Sequence, residues 1–260
     1  MQISMAGRIA LITGGSKGLG YAMGMKFAEC GAEVALVSRN KEEVARAAKE
    51  ISTTSSQKCL GYVGDVSNAE DIETIFKQVT DDFGRVDVLV NNAGFAQAGE
   101  FTSITDEQWQ YDIDLKLMAA VRMSRLVFPG MKERKWGRII NMLNTFAKSP
   151  TANSAPTSVT RAAGMALTKV LASEGAAHNV LVNGLNIGRI FSDQVVRAYE
   201  HSDSDRSLEE FTASIGKGLP MGRIGETDEC AGLACLLCSD AGGYISGTSI
   251  NVDGNLCPVL

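Results

Sequence analysis

The stretch RIALITGGSKGLGYAMGMKFAECG, from Arg8 to Gly31, constrains the fold more than any other. A short apolar run, RIALIT, leads into a glycine-rich turn. A segment with helical spacing follows and closes on glycine. Gly14, Gly18 and Gly20 fall in the turn. A glycine-rich turn alone is a weak signal. Set between a buried strand and a helix, it offers backbone N–H groups, a helix N-terminus and no Cβ in the way. Those are the requirements for holding a dinucleotide pyrophosphate.

The same alternation continues along the chain. AEVALVS (Ala32–Ser38) reads as a strand and KEEVARAAKEIS (Lys41–Ser52) as a charged amphipathic helix. KCLGYVGDV, RVDVLVNNAG, WGRIINML, NVLVNGLNIG and GTSINVDGN supply further strands. AEDIETIFKQVTDDFG, a long segment after Thr105–Asp106, Pro156–Ala177 and TDECAGLACLLCSD supply helices. Strands buried on both faces in such a series are parallel, with right-handed helical crossovers. The fold class predicted is α/β, a single-domain doubly wound (Rossmann) sheet of about seven parallel strands flanked by helices. With 260 residues and 45% apolar composition, the chain can cover both faces of that sheet within one domain spanning 1–260. The polar, broken stretch 193–219 is the candidate lid; its Asp193, Tyr199, Glu200, His201 and Phe211 name no ligand.

The formal charge of −5 gives no basic footprint for nucleic acid. No apolar run reaches the roughly 18–20 residues of a membrane span. The N-terminus reads as the first strand, not as a signal peptide, so the expected address is cytoplasmic. There the six cysteines are expected as free thiols. Cys235 and Cys238 match C-x-x-C but lie in an apolar helical run without a second ligand pair, so they read as buried helix thiols. His178 and His201 fit no metal pattern, and no metal site is expected.

TGGSKGLG, with GDV (Gly64–Val66), NNAG (Asn91–Gly94), GRIIN (Gly137–Asn141) and the closing stretch from PMGRIG to SINVDG, resembles the short-chain dehydrogenase/reductase family over essentially the whole length. The resemblance implies cofactor contacts from Gly14, Ser16, Lys17, Gly18, Leu19 and Gly20. It implies that Asp65 and Val66 flank the adenine, and that Asn91, Ala93 and Gly94 lie against the adenosine ribose and phosphates. Gly188, Ile190 and Ser192 fall near the nicotinamide, with Ile187 where the family usually has proline. The second strand ends in Ser38-Arg39, without the acidic residue that binds a ribose 2′-OH. Arg39 and Lys17 can instead clamp a 2′-phosphate, so NADP(H) is expected over NAD(H).

The family generally uses Asn, Ser, Tyr and Lys for catalysis. By resemblance those places fall here on Lys116, Asn144, Thr157 and Arg161, and no Y-x-x-x-K occurs anywhere in the chain. Tyr has a reference pKa of about 10 that a nearby cation lowers. An aliphatic hydroxyl starts far higher, so Thr157 is a poor general acid. Arg161 holds its proton but can bind a ribose or fix an anion. Asn144 and Thr157 can donate to a carbonyl oxygen, an interaction worth roughly 3 kcal/mol toward a developing oxyanion. Lys116 titrates, and burial beside the Arg161 cation would lower its pKa toward the working range. A lysine pointing to solvent or across a subunit contact is the structural alternative.

Three functions fit this pattern. One is an NADP(H)-dependent oxidoreductase of a small carbonyl or alcohol substrate with a rebuilt proton donor. Another is a non-redox lyase or isomerase whose Lys116 and Arg161 stabilise an enolate or bind a carboxylate. The third is a catalytically silent cofactor-binding protein. Charged groups buried without use are costly, which favours a working site. The resemblance also implies a homotetramer or homodimer, joined through the helices around Trp109–Met131 and Pro156–Ala177 and the C-terminal strand.

Overall fold

The structure is a computed structural model, and it describes residues 3–202 and 205–260. Its strands are β1 (Ile9–Thr13), β2 (Glu33–Ser38), β3 (Cys59–Val63), β4 (Val88–Asn91), β5 (Ala98–Gly99), β6 (Gly137–Asn144), β7 (Ala155–Pro156), β8 (Val180–Ile187) and β9 (Ser249–Val252). Seven of them form one parallel sheet in the order β3-β2-β1-β4-β6-β8-β9, as the alternation predicts. β5 and β7 make a small antiparallel pair that the sequence did not announce.

β1 sits between β2 and β4, with Leu11 opposite Ala35 on one side and Leu89 on the other. The order of strands reverses there, so the connections leaving β1 and β4 diverge and open a crevice at the strands' carboxyl ends. Alternate residues of each strand feed opposite faces. Ala10 and Ile12 join Met23, Phe27 and Leu237 under α1 (Gly18–Glu29), α2 (Lys41–Ser55) and α9 (Thr227–Cys238). Leu11 and Leu89 join Val79, Met123 and Val182 under α3 (Ala69–Phe83), α5 (Ala119–Glu133) and α6 (Thr157–Gly175).

The expected long helix after Thr105 is not uniform. It starts as α4 (Asp106–Asp112) on a Thr105–Gln108 capping box, passes through a π-helical turn at Ile113–Met118, and continues as α5. That wider turn changes which side chains share a face, a shift invisible to simple periodicity. The candidate lid contains two short helices, α7 (Asp193–Glu200) and α8 (Leu208–Gly216), linked by the Tyr199–Phe211 ring contact at 5.6 Å. Asp203 and Ser204 of that stretch lie outside the described residues. Cys235 and Cys238 are buried as expected, and burial pushes the Cys238 thiol up to about 12. No helix among the described residues is long and apolar enough to cross a membrane.

Candidate active site

One cavity of about 630 Å³ occupies the crevice. Its floor at one end is the turn between β1 and α1, where Gly14, Ser16, Lys17, Gly18 and Leu19 line it. Gly18 has φ +53, and a Cβ there would come no closer than 4.0 Å to Ser192 Cβ, so its α-carbon faces open space. Lys17 is the N-cap residue of α1 and its side chain makes no capping hydrogen bond to the helix, and the first turn carries no acidic residue. The first N–H groups of α1 are therefore left to a ligand, and the positive end of the helix favours an anion. These residues fit a dinucleotide pyrophosphate. Gly20 does not line the cavity. A Cβ on it would lie 2.2 Å from Gly14 O, so its part is to let the helix seat against the turn.

Thr13 and Asn92 lock that turn to the end of β4. Thr13 Oγ1 accepts from the Asn92 and Ala93 N–H groups at 3.0 and 3.1 Å, and Asn92 Nδ2 donates to Thr13 O at 2.9 Å. Ala93 and Gly94 line the cavity and so does Asn92, but Asn91 does not. The Asn91 amide instead donates to Asn141 Oδ1 at 2.9 Å inside the core, and Asn141 donates on to Thr168 Oγ1 at 2.9 Å. Asn91 thus lies behind the cavity while its neighbour Asn92 lines it, because strand alternation turns one of the two inward.

Ser38, Arg39, Asp65 and Val66 line the far end. Ser16 Oγ donates to Ser38 Oγ at 3.0 Å. Arg39 donates to Tyr111 OH at 3.1 Å and lies 3.7 Å from Asp65 Oδ2, while Lys17 pairs with Glu43 at 2.7 Å. Both cations stand at the rim with a carboxylate neighbour. Exposed pairs of this kind are worth roughly 0–1 kcal/mol, so an arriving phosphate can compete for them. Gly188, Ile190 and Ser192 line the opposite wall, and Ser192 caps α7 without a side-chain bond.

At the other end the wall is Asn144, Thr157 and Arg161. Asn144 Oδ1 is buried and has no hydrogen-bond partner among the described residues. Arg161 donates from Nη1 to Met142 O at 2.7 Å. Its guanidinium packs close against Gly94; a Cβ there would lie 2.7 Å from Arg161 Nη2, so a side chain at 94 would force the guanidinium to shift. Burial pulls the Arg161 guanidinium down to about 10, with Asp112 opposing, and it stays a cation near neutrality.

Lys116 does not line the cavity. It sits directly behind the wall, its side chain 1% exposed, and neither points to solvent nor reaches the surface. Its Nζ donates to Thr157 Oγ1 at 2.7 Å and to Asp112 Oδ1. Burial is the largest influence on this amine and lowers its pKa. Asp112 pushes it up, Arg161 pushes it down, and the result is about 8. Thr157 Oγ1 also accepts from the Gln97 N–H at 3.0 Å and donates to Gln97 O at 2.7 Å. The hydroxyl therefore joins the start of α6, the loop leading to β5, and the buried lysine.

Sequence reasoning missed Asp112, Thr160, Gln97 and Tyr111. Asp112 and Thr160 did carry a signal. Asp112 stands four residues before Lys116, and Thr160 three after Thr157, so each shares a helix face with a candidate. Among the described residues no group of His, Cys, Asp and Glu could hold a metal ion.

The family model described as enoyl-(acyl carrier protein) reductase matches residues 14–256. The acetoacetyl-CoA reductase of Shinella zoogloeoides is 32% identical over 247 residues, covering 95% of this chain and 97% of that protein. The 3-oxoacyl-(acyl-carrier-protein) reductase of Haemophilus influenzae is 31% identical, covering 97% and 99%. The crystal structure of L-sorbose reductase from Gluconobacter frateurii, complexed with NADPH and L-sorbose, superimposes with a TM-score of 0.95 at 32% identity, covering all of both chains.

Proposed function

The chain belongs to the short-chain dehydrogenase/reductase family, and from that premise we propose that it is an NADP(H)-dependent oxidoreductase of small carbonyl or alcohol substrates, with a proton donor rebuilt around Lys116. The observation that carries this reading is one continuous cavity. It runs from the uncapped start of α1 to the Asn144–Thr157–Arg161 wall, and a buried ammonium stands 2.7 Å behind that wall.

Gly18, Leu19 and the first turn of α1 would hold the pyrophosphate. Arg39, Lys17 and Ser38 would take the 2′-phosphate, and Arg161 with Gly188 would line the nicotinamide half. The preference for NADP(H) is supported by the two rim cations and by the NADPH complex of the similar L-sorbose reductase. The bound cofactor supplies or accepts the hydride.

The protein's own residues handle charge and proton. As hydride reaches a carbonyl carbon, negative charge grows on its oxygen, and the Arg161 cation stabilises it. Thr157 turns its hydroxyl hydrogen from Gln97 O to that oxygen, while Lys116 Nζ passes a proton to Thr157 Oγ1. The alcohol leaves neutral and Lys116 is left as an amine beside Asp112. With the Lys116 pKa near 8, the ammonium form is present at neutrality and can give up its proton. None of the residues the family generally uses for catalysis stands at the matching places, so the site is atypical in this reading.

The test begins with nicotinamide fluorescence on titration with NADPH, followed by a carbonyl panel read as loss of NADPH absorbance. Reductive turnover should be level below pH 8 and fall above it, because the donor must be protonated. Lys116→Met should abolish turnover and keep NADPH binding. Absence of NADPH binding, or substrate turnover with no net change in cofactor, would overturn the reading.

The same reading includes a homotetramer or homodimer. Val159 and Val170 stand exposed on α6, as do Tyr244 and Leu260 near the C-terminus, which suits subunit contacts. A free-thiol set suits a reducing, cytoplasmic setting.

A further inference from the structure

The buried network behind the wall holds one carboxylate for two cations. Asp112 has both oxygens engaged. Oδ1 accepts from Lys116 Nζ, and Oδ2 accepts from Thr160 Oγ1 at 2.6 Å. Asp112 is 1% exposed and Thr160 2%, so neither contact is shared with solvent. The three elements that meet here are α4, the π-helical turn and the first turns of α6. A carboxylate in such a place costs several kcal/mol in desolvation unless its partners compensate. Its two partners are a threonine hydroxyl that fixes the carboxylate plane and the ammonium that the proton path needs.

We propose that Asp112, oriented by Thr160, is the positioning residue that holds the Lys116 ammonium against Thr157 Oγ1. The inference rests on the reading of Lys116 as proton donor. The charged groups facing Lys116 are Asp112 from its own helix and Arg161 from α6. The others against it are Thr157 Oγ1, the Phe95 ring at 5.8 Å and the Gly94 backbone, all uncharged. Asp112 is thus the group that counters both burial and the Arg161 cation. Without it burial and the Arg161 cation act on the ammonium unopposed, its hold on Thr157 Oγ1 loosens, and its proton affinity falls.

The experiment follows Lys116 directly, by NMR of the full chain with 13C-labelled lysine side chains. Lys116→Met identifies its resonance. In parallel, the pH dependence of reductive turnover is measured. Asp112→Asn should move the Lys116 midpoint down by about one pH unit or more, a tenfold or larger drop in proton affinity. The falling limb of turnover should move with it, and NADPH binding should be unchanged. Thr160→Val should shift the midpoint in the same direction by less, and Thr160→Ser, which keeps the hydroxyl, should restore it. If Asp112→Asn does not fold, the Thr160 pair and the wild-type titration carry the test. A wild-type midpoint in both Asp112→Asn and Thr160→Val would overturn the proposal while leaving Lys116 as donor. Full turnover of Lys116→Met would instead overturn the parent reading, whatever the midpoints do.

Discussion

Thr157→Val keeps the side-chain shape and removes one hydroxyl, so its effect can be worked from three contacts. Thr157 Oγ1 accepts from Lys116 Nζ at 2.7 Å and from the Gln97 N–H at 3.0 Å, and donates to Gln97 O at 2.7 Å. Gln97 O keeps the Thr157 N–H at 3.3 Å, so that carbonyl is not orphaned. The Gln97 N–H is orphaned, at about 1–3 kcal/mol, and the charged bond from Lys116 is worth about 1.5–3 kcal/mol. Together the loss is on the order of 2–5 kcal/mol, since local relaxation recovers part of it. For a chain of this size that lowers Tm by roughly 10 °C. A calorimetric melt reads it, with Thr157→Ser expected within about 1 kcal/mol of wild type because the hydroxyl remains. A valine variant melting within about 2 °C of wild type would mean that the hydroxyl bridges nothing. Turnover gives the second half of the answer. Loss of the relay should reduce it about 100-fold or more, with serine restoring it. A drop in Tm with unchanged turnover would make Thr157 a staple and send the proton by another route.

Gly18→Val would project a side chain into the open end of the cavity, so NADPH affinity should fall about 100-fold or more, and strain at its φ of +53 should lower Tm by several degrees as well; equal fluorescence titrations would refute it. Arg39→Ala should weaken NADPH binding about tenfold or more and leave NADH nearly unaffected, with Tyr111→Phe showing a smaller loss of the same selectivity. Val170→Glu on the exposed face of α6 should move the chain to a smaller species in sedimentation; an unchanged monomeric wild type would remove the oligomer from the reading.

The fold was readable because its signals are local and mutually consistent. IALIT is buried throughout, the glycine turn needs its glycines, and each amphipathic helix shows its apolar face. The site was only half readable. Gly14, Gly18, Ala93 and Gly94 were found because backbone shape at a strand end is encoded nearby. Asp112 was missed although its spacing to Lys116 favours it over Asp114, because nothing in the sequence shows that this face of the helix is buried. Asp114 turns outward to Arg122 at 3.1 Å, while Asp112 turns inward. Lys116 was identified as titratable, but its place behind the wall depends on the loop holding Gln97, which lies far from it in sequence. Arg39 and Lys17 stand out in the sequence as cations and Asp65 as an adenine neighbour, but the pairing of Arg39 with Asp65 and of Lys17 with Glu43 at the rim is not visible there.

The π-helical turn at Ile113–Met118 bears on how this chain can change over time. Upstream of it the helix aims Asp112 into the buried network behind the cavity wall, and downstream it aims Met123, Val127 and Met131 at the sheet. A helix rotates by about 100° per residue, so losing or gaining one residue in this window would swing one of those faces out of place. Length is therefore constrained here, and substitutions at 112 and 116 leave the core register intact but must be matched to each other, because either charge left alone in so buried a place is costly. Chemistry changes in this segment by paired substitution, while insertions and deletions disturb the faces on either side.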